Sequence, residues 1–355
     1  MNGLQNLLQE TVDGRRLSSS EALELMEKGD LLDLGQAANQ IVQKKHPANQ
    51  VTFVIDRNIN YTNICISRCR FCAFYRERHD QEAYVLTQRE IFEKIEEAIA
   101  QGATQVMLQG GLHPDLGLDY VVQMVNDIKA RYNITIHSFS PPEIFHFATI
   151  SNVSIRTVLQ KLSEAGLDSL PGGGAEILVD RVRDIISPHK ITASQWLEVM
   201  ETAHYVGLAS TATMMIGTVE TREERIDHLE KIRSLQERTG GFRGFIPWTF
   251  CPENTDLGGS HVSALEYLRM LAIARLYLDN VNHIQGSWVT QSPAIGQLSL
   301  LFGADDLGSI MLEENVVRAA GCEYRLNRDE MIRLIRETGK IPAQRDTTYS
   351  ILKVF

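Results

Sequence analysis

The sequence predicts an α/β protein whose main body is a (β/α)8 TIM-type barrel, with an N-terminal helical extension and a C-terminal extension. Three observations carry this. From about residue 50 onward, short runs of β-forming residues alternate with longer stretches of helical periodicity, the pattern of repeated βα units. Eight candidate strands can be counted, the number that closes a parallel barrel. The 355 residues also exceed the roughly 250 that such a barrel uses, leaving chain for both extensions. The expected organisation is a helical extension over 1–50, the barrel over 51–310, and a helical segment over 311–355 packed on it. An open doubly wound sheet is the competing topology, because the eighth strand has the weakest pattern.

Taken in order, Ser18-Ser19-Ser20-Glu21 offers a helix N-cap, a second helix runs near Leu32 to Lys44, and Pro47 ends the extension. Strands are expected at 58–63, 105–109, 133–139, 168–170, 210–216, 244–250, 283–288 and 300–307. Helices are expected at 88–101, 118–131, 154–165, 193–206, 222–239 and 264–280. Strand side chains alternate between helices and lumen, so a polar set on one face marks the interior. Thr135 and His137 flank Ile136, Thr211 and Thr213 alternate with Ala212 and Met214, and His283-Ile284-Gln285-Gly286-Ser287 is mostly polar. The interior is therefore expected to be more polar than packing alone requires.

Lys plus Arg total 35 and Asp plus Glu total 45, giving 35 − 45 = −10 at neutral pH, which argues against a general nucleic-acid binder. A hydrophobic content of 43% against 23% charged residues suits a folded core. The segment Met1 to Arg16 lacks the apolar core of a secretory signal, and no run approaches the roughly 18 apolar residues of a membrane span. A cytoplasmic location without membrane contact is expected. The five cysteines are too few and too unevenly spread for a disulfide framework, with Cys251 and Cys322 standing apart from the other three.

The main chemical signal is Cys65-Ile66-Ser67-Arg68-Cys69-Arg70-Phe71-Cys72, a C-x3-C-x2-C pattern just after a strand. Three thiolates on one short loop can ligate three irons of a [4Fe-4S] cube and leave the fourth open. A closed zinc site needs a fourth ligand, and His79 would supply it only at an unusual spacing. A dithiol redox pair would leave the third thiol unused. Elsewhere, Gln109-Gly110-Gly111 ends a strand, and Leu170-Pro171-Gly172-Gly173-Gly174-Ala175-Glu176 is neither a phosphate loop nor a dinucleotide fingerprint. His113, His137 and His283 lie in or near strands, while Arg181, Arg183 and Lys190 either meet a substrate carboxylate or coat a helix.

These motifs resemble the radical S-adenosylmethionine superfamily, whose signature is C-x3-C-x-(aromatic)-C after the first barrel strand, with Phe71 at the aromatic position. The resemblance implies a [4Fe-4S] cluster on Cys65, Cys69 and Cys72, with S-adenosylmethionine chelating the open iron. It also implies Phe71 against the adenine, Gln109, Gly110 and Gly111 near the methionine amino group, and Glu176 at the ribose or amino group. Ser140 joins the cofactor contacts, and Met214 to Gly217 meet adenine through backbone. One-electron cleavage of the cofactor then yields a 5′-deoxyadenosyl radical, chemistry that side chains cannot supply. A small flavodoxin or ferredoxin is the implied electron donor, and oligomeric state is not legible.

Longer words narrow the resemblance. Asp56-Arg57-Asn58-Ile59-Asn60-Tyr61-Thr62-Asn63, Phe139-Ser140-Pro141-Pro142-Glu143, Phe245-Ile246-Pro247-Trp248-Thr249-Phe250 and Ser287-Trp288-Val289-Thr290-Gln291 resemble the cyclic dehypoxanthine futalosine synthases of the futalosine route to menaquinone. Aminofutalosine synthase and the deazaflavin FO synthase halves share the architecture with other substrates. Asn60-Tyr61-Thr62-Asn63, Trp248-Thr249-Phe250 and Met311-Leu312-Glu313-Glu314-Asn315 favour the cyclase, whereas Cys251 departs from the usual polar residue. The implied reaction takes hydrogen from the ribose C4′, closes the carbon radical onto the substrate's own benzoate ring, and loses one electron and one proton. His137, Glu143 and Asp306 are the candidate proton acceptors. Tyr61, Phe245, Trp248, Phe250 and Trp288 are candidate pocket walls, with Asn60, Gln285, Asp306 and Ser309 as anchors; each could instead be ordinary core or loop. A non-catalytic iron-sulfur or zinc module is the competing class.

Overall fold

A computed structural model describes residues 3–355. Three helices, Gly3–Val12, Ser19–Lys28 and Leu31–Lys45, precede the first strand. The strands are β1 (Gln50–Val54), β2 (Asp56–Ile59), β3 (Gln105–Leu108), β4 (Thr135–Ile136), β5 (Ser169–Leu170), β6 (Ala209–Ile216), β7 (Phe242–Thr249), β8 (His283–Ile284), β9 (Asp306–Ser309), β10 (Ile341–Arg345) and β11 (Ile351–Val354). They form three hydrogen-bonded sheets, β2-β3-β4, β5-β6-β7-β8 and β11-β10-β1-β9. Single parallel bridges, His137 to Ser169 and Gln285 to Asp306, link one sheet to the next. Since β1 runs into β2 with only Ile55 between them, the parallel pairings follow a TIM-type circuit with thin seams at those bridges.

Helix boundaries follow local chemistry. The helix Arg222–Thr239 starts at a capping box between Thr221 and Glu224 and ends at left-handed Gly240, so it occupies the span its sequence predicts. Thr87 with Glu90 and Thr192 with Gln195 start two more barrel helices in the same way. The N-terminal helices pack outside the barrel. Arg233 donates to the Leu17 carbonyl (2.8 Å), and Ser19 bonds the Tyr277 hydroxyl (2.7 Å).

Four expectations are corrected. The first strand begins at Gln50 rather than Asn58, because Val51, Phe53, Val54 and Ile55 are buried together and lack the alternation that marks a half-exposed strand. The eighth strand is Asp306–Ser309; residues 300–303 form a turn that ends at left-handed Gly303, after the helix Pro293–Ser299. The 311–355 segment is not purely helical, since β10 pairs in parallel with β1 and β11 returns antiparallel to β10. Pro342 and the exposed face of β11 hide that strand pair from periodicity. Cys251 and Cys322, expected to stand apart, form a disulfide across 71 residues. Among the described residues, no helix is long and apolar enough to cross a membrane.

Burial has a pH consequence. His137 and His228 are both held down to about 3 by desolvation, with nearby cations adding to it. Unfolded histidine titrates near 6.5, so below that pH the unfolded chain binds protons that the native state refuses. Their stabilising contribution is complete above pH ~6.5 and is lost as pH falls toward 3, each histidine removing roughly 1.4 kcal/mol per pH unit. The urea midpoint is expected to drop between pH 7 and pH 5; an unchanged midpoint would contradict the buried neutral state.

Candidate active site

A cavity of about 410 Å³ runs along the barrel, from the three-cysteine loop at the strands' C-terminal ends to Arg345, Thr347 and Tyr349 at the opposite end. Cys65, Cys69 and Cys72 are all free thiols and line its mouth. Backbone bonds set the loop: Ile66 N to Leu112 O (3.1 Å), Cys72 N to Cys69 O (3.0 Å) and Arg70 N to Ile186 O (2.8 Å). Gly110 and Gly111 let the end of β3 approach. A Cβ on Gly111 would lie 2.3 Å from the Ile64 carbonyl, and one on Gly110 would lie 2.6 Å from the Tyr61 ring. The pair is therefore required by packing as well as lying at the mouth.

Beside the thiols, Lys190 approaches Glu176 Oε1 (3.1 Å) and lies 5.1 Å from the centre of the Phe71 ring. Arg183 binds the carbonyls of Ala175 (2.7 Å) and Ile191 (2.6 Å), pinning the glycine loop, whereas Arg181 is exposed and pairs with Glu224. Two buried acceptors that line the cavity, Glu176 Oε2 and Asn58 Oδ1, have no hydrogen-bond partner among the described residues. Buried polar atoms are rarely left so, and both suit a ligand that brings its own donors. Burial also pushes the Cys69 thiol up to about 11, against the pull of the Lys190 ammonium. Three thiols, an aromatic face and these acceptors form a donor set suited to an iron-sulfur cluster with a polar cofactor.

The walls follow the period-two rule. On β7, Ile246 and Trp248 line the cavity, while Phe245 packs toward the helices with its ring 6.1 Å from that of His228. On β6, Thr211 and Thr213 line it and the Met214 side chain is buried in the core, so Met214 can offer a ligand only backbone. Phe71, Gln109, Ser140, Asn60, Gln285 and Ser309 also line the cavity.

Other candidates are elsewhere. Phe250 is core, Gly217 lies outside the lining, and Trp288 is buried with its indole N–H on the Ser309 carbonyl (3.2 Å). Tyr61 points away and donates to Glu143 (2.8 Å).

Two of the three candidate proton acceptors are fasteners. Glu143 takes Tyr61 OH and Gly110 N (2.9 Å) on one oxygen, and Ser140 N (2.8 Å) and Oγ (2.6 Å) on the other. Burial raises its pKa against the pull of those four donors, and it does not line the cavity. Asp306 is fully buried and bound bidentately by Arg345 (2.6 and 3.0 Å), with Gly308 N (2.7 Å) and the Thr52 hydroxyl completing both oxygens. Neither carboxylate lines the cavity. His137 lines the cavity, with Nδ1 engaged by Ser169 Oγ (2.7 Å) and Nε2 left for another partner.

Several lining residues were not anticipated. Asp56, pushed up by burial, receives Ser309 Oγ and Gln105 Nε2 (2.7 Å). Its signal was available, since Asp56, Asn58 and Asn60 fall at period two on one face. Arg243, Arg345, Thr347 and Tyr349 build the floor, and no local pattern marks them. Outside the cavity, His46, His283 and Asp305 cluster as possible metal donors, but Arg275 already pairs with that carboxylate.

Residues 59–232 match the radical SAM superfamily, and residues 239–355 match the CofH/MqnC C-terminal region. The chain is 48% identical to the cyclic dehypoxanthine futalosine synthase of Halalkalibacterium halodurans over 99% of this chain and 96% of that one. This chain belongs to the radical SAM superfamily. The Streptomyces coelicolor cyclic dehypoxanthine futalosine synthase is also 48% identical, over 99% of this chain and 89% of its own. A crystal structure of methylornithine synthase superposes with a TM-score of 0.76 at 21% identity, covering 95% of this chain and 97% of that one. At that identity the likeness shows the fold alone, in agreement with the TIM-type circuit of parallel strands traced above.

The floor predicts a measurable penalty. Arg345→Met would leave Asp306 buried without its counter-cation and is expected to destabilise the protein by about 3–5 kcal/mol. Urea denaturation checks this, with Asp306→Asn/Arg345→Met expected to recover part of the loss. A midpoint unchanged in the single variant would contradict the role given to the pair.

Proposed function

We propose that this protein converts dehypoxanthine futalosine to cyclic dehypoxanthine futalosine in the futalosine route to menaquinone. The observation that carries the reading is 48% identity, over 99% of the chain, to a curated cyclic dehypoxanthine futalosine synthase. The free thiols at the mouth of a barrel cavity support it. Cys65, Cys69 and Cys72 would hold a [4Fe-4S] cluster with one iron free of protein ligands. Together with S-adenosylmethionine that cluster supplies one-electron abstraction of hydrogen from an unactivated carbon.

The chain's own residues bind, orient and exclude water. Glu176 Oε2, which accepts no hydrogen bond and has only the Arg183 guanidinium at 3.6 Å, suits the cofactor's hydroxyl or amino groups, and Phe71 supplies an apolar face beside Lys190. Trp248 and Ile246 form an apolar wall for the aromatic ring, while Asn60, Gln285 and Ser309 offer hydrogen bonds to the sugar. His137 Nε2 is the proposed proton acceptor. Its low pKa is sufficient, because the proton lost on rearomatisation leaves a cyclohexadienyl carbon that is itself strongly acidic once oxidised. A flavodoxin or ferredoxin is the proposed electron donor, and the cytoplasm the proposed location.

The test is an anaerobic assay of reconstituted protein with S-adenosylmethionine, a reductant and dehypoxanthine futalosine, read by mass spectrometry. Deoxyadenosine with a product two hydrogens lighter supports the proposal; deoxyadenosine beside untouched substrate would favour a sister radical enzyme. Alanine at Cys65, Cys69 or Cys72 is expected to abolish cofactor cleavage and cluster absorbance, and retained cleavage would overturn the ligand assignment. Trp248→Ala is expected to lower substrate turnover while iron content stays normal. Wild-type turnover by that variant would remove Trp248 from the pocket.

A further inference from the structure

Three cationic side chains line the cavity, Lys190 at the mouth and Arg243 and Arg345 at the floor. Lys190 is matched by Glu176 and Arg345 by the bidentate Asp306. Arg243 has no ion-pair partner among the described residues, and its guanidinium makes one hydrogen bond, to the Thr347 carbonyl (3.2 Å). The acidic groups close enough to influence it are already engaged. Asp168 holds Lys129 (2.7 Å) and the Ile136 N–H (2.7 Å). Asp346 takes the backbone N–H groups of Thr348 (2.7 Å) and Ser350 (3.0 Å). Burial lowers the Arg243 pKa, as expected of a guanidinium withdrawn from water with no anion beside it. A half-buried cation left over on the wall of a ligand cavity is a vacancy for an anion that the protein does not supply.

We infer that Arg243 is the receptor for the carboxylate of the aromatic substrate and sets the end-to-end direction in which that substrate enters the barrel. The inference rests on the substrate reading given above, in which the molecule carries a benzoate at one end and a sugar at the other. Arg243 and Trp248 lie on one strand, five residues apart, and both reach the cavity because the β6–β7 register shifts by one residue at Arg243; their Cα atoms are separated by roughly 16 Å along the strand. With the carboxylate at the floor, the ring lies along Ile246 and Trp248 and the sugar faces the thiol loop. A guanidinium fork matches a carboxylate bidentately, which a lysine ammonium does not reproduce.

The test compares equilibrium binding of dehypoxanthine futalosine and of its carboxamide analogue to cluster-loaded protein by titration calorimetry, with KM and kcat measured for both. Wild-type protein is expected to prefer the acid by about tenfold to a hundredfold, the range of a hydrogen bond to a charged group. Arg243→Gln should erase that preference by weakening the acid alone, with the loss falling in KM more than in kcat, and Arg243→Lys should restore part of it. Equal weakening of acid and amide by Arg243→Gln, or none, overturns the inference. So does a wild-type protein that does not prefer the acid, a comparison that needs no variant to fold. Preferential binding of the acid without any cyclised product would instead defeat the proposed reaction and leave the arginine assignment standing.

Discussion

The buried carboxylate of Asp306 is the tie on which the lower half of the molecule depends. Each of its oxygens accepts two donors, and they come from the Arg345 guanidinium at the end of β10, Thr52 on β1 and Gly308 on β9 itself. A buried ion pair is tolerable only when the geometry is good and the remaining hydrogen-bonding capacity is filled, and here both conditions hold. The consequence is topological. With β10 held beside β1, the following residues pass beneath the barrel, where Thr347 bonds the Gln105 side chain and Tyr349 stacks on His283 at 3.7 Å. Parallel barrels usually fill their interiors with layers of branched side chains. This one places Thr211, Thr213, Ser287 and Ser309 there, and the sealing that bulky side chains would have done falls to Arg345, Thr347 and Tyr349.

The upper half repeats the device. Glu143 gathers the end of β3 through Gly110, the segment after β2 through Tyr61, and the start of the helix Pro141–Ile150 through Ser140. The glycine pair and the thiol loop are thereby fixed relative to one another before any ligand arrives. Two carboxylates that chemistry could assign to proton transfer are both saturated by donors. The physical reason is common to them: a buried carboxylate must be matched, and matching removes the lone pairs a base would use.

What could be read from the sequence was what local chemistry decides. Capping boxes fixed helices such as Arg222–Thr239, and the spacing of Cys65, Cys69 and Cys72 marked the loop that the structure places at the cavity mouth. What could not be read depends on distant partners. β4, β5 and β8 are two residues long, β10 is recognisable only because β1 lies beside it, and the disulfide joins positions 71 residues apart. The aromatic set divides for an intermediate reason. Phe245 and Trp248 differ by an odd number of positions on the regular stretch of β7 that follows its register shift and so face opposite ways, but which of them faces inward is settled by the packing of β7 against β6 and β8.

The distribution of charge within the cavity agrees with radical chemistry in its own terms. Charged side chains sit at its two ends, with Lys190 and Glu176 above and Arg243 and Arg345 below, and the middle is walled mainly by hydroxyl, amide, imidazole and apolar groups. Asp56 and Glu314 are the exceptions, and burial favours the neutral form of both, while Ser309 and Gln105 bond the oxygens of Asp56, and Asn58 and the Val317 N–H bond those of Glu314. Preorganised charge accelerates a reaction by meeting charge that develops in the transition state. Hydrogen abstraction by a carbon radical develops little, so charge placed in the middle of the barrel would bring desolvation cost without a compensating gain. Positioning is then the lever left to the protein, and it requires the substrate to be held by its ends. A lumen with polar anchors at both ends and a nearly neutral centre meets that requirement.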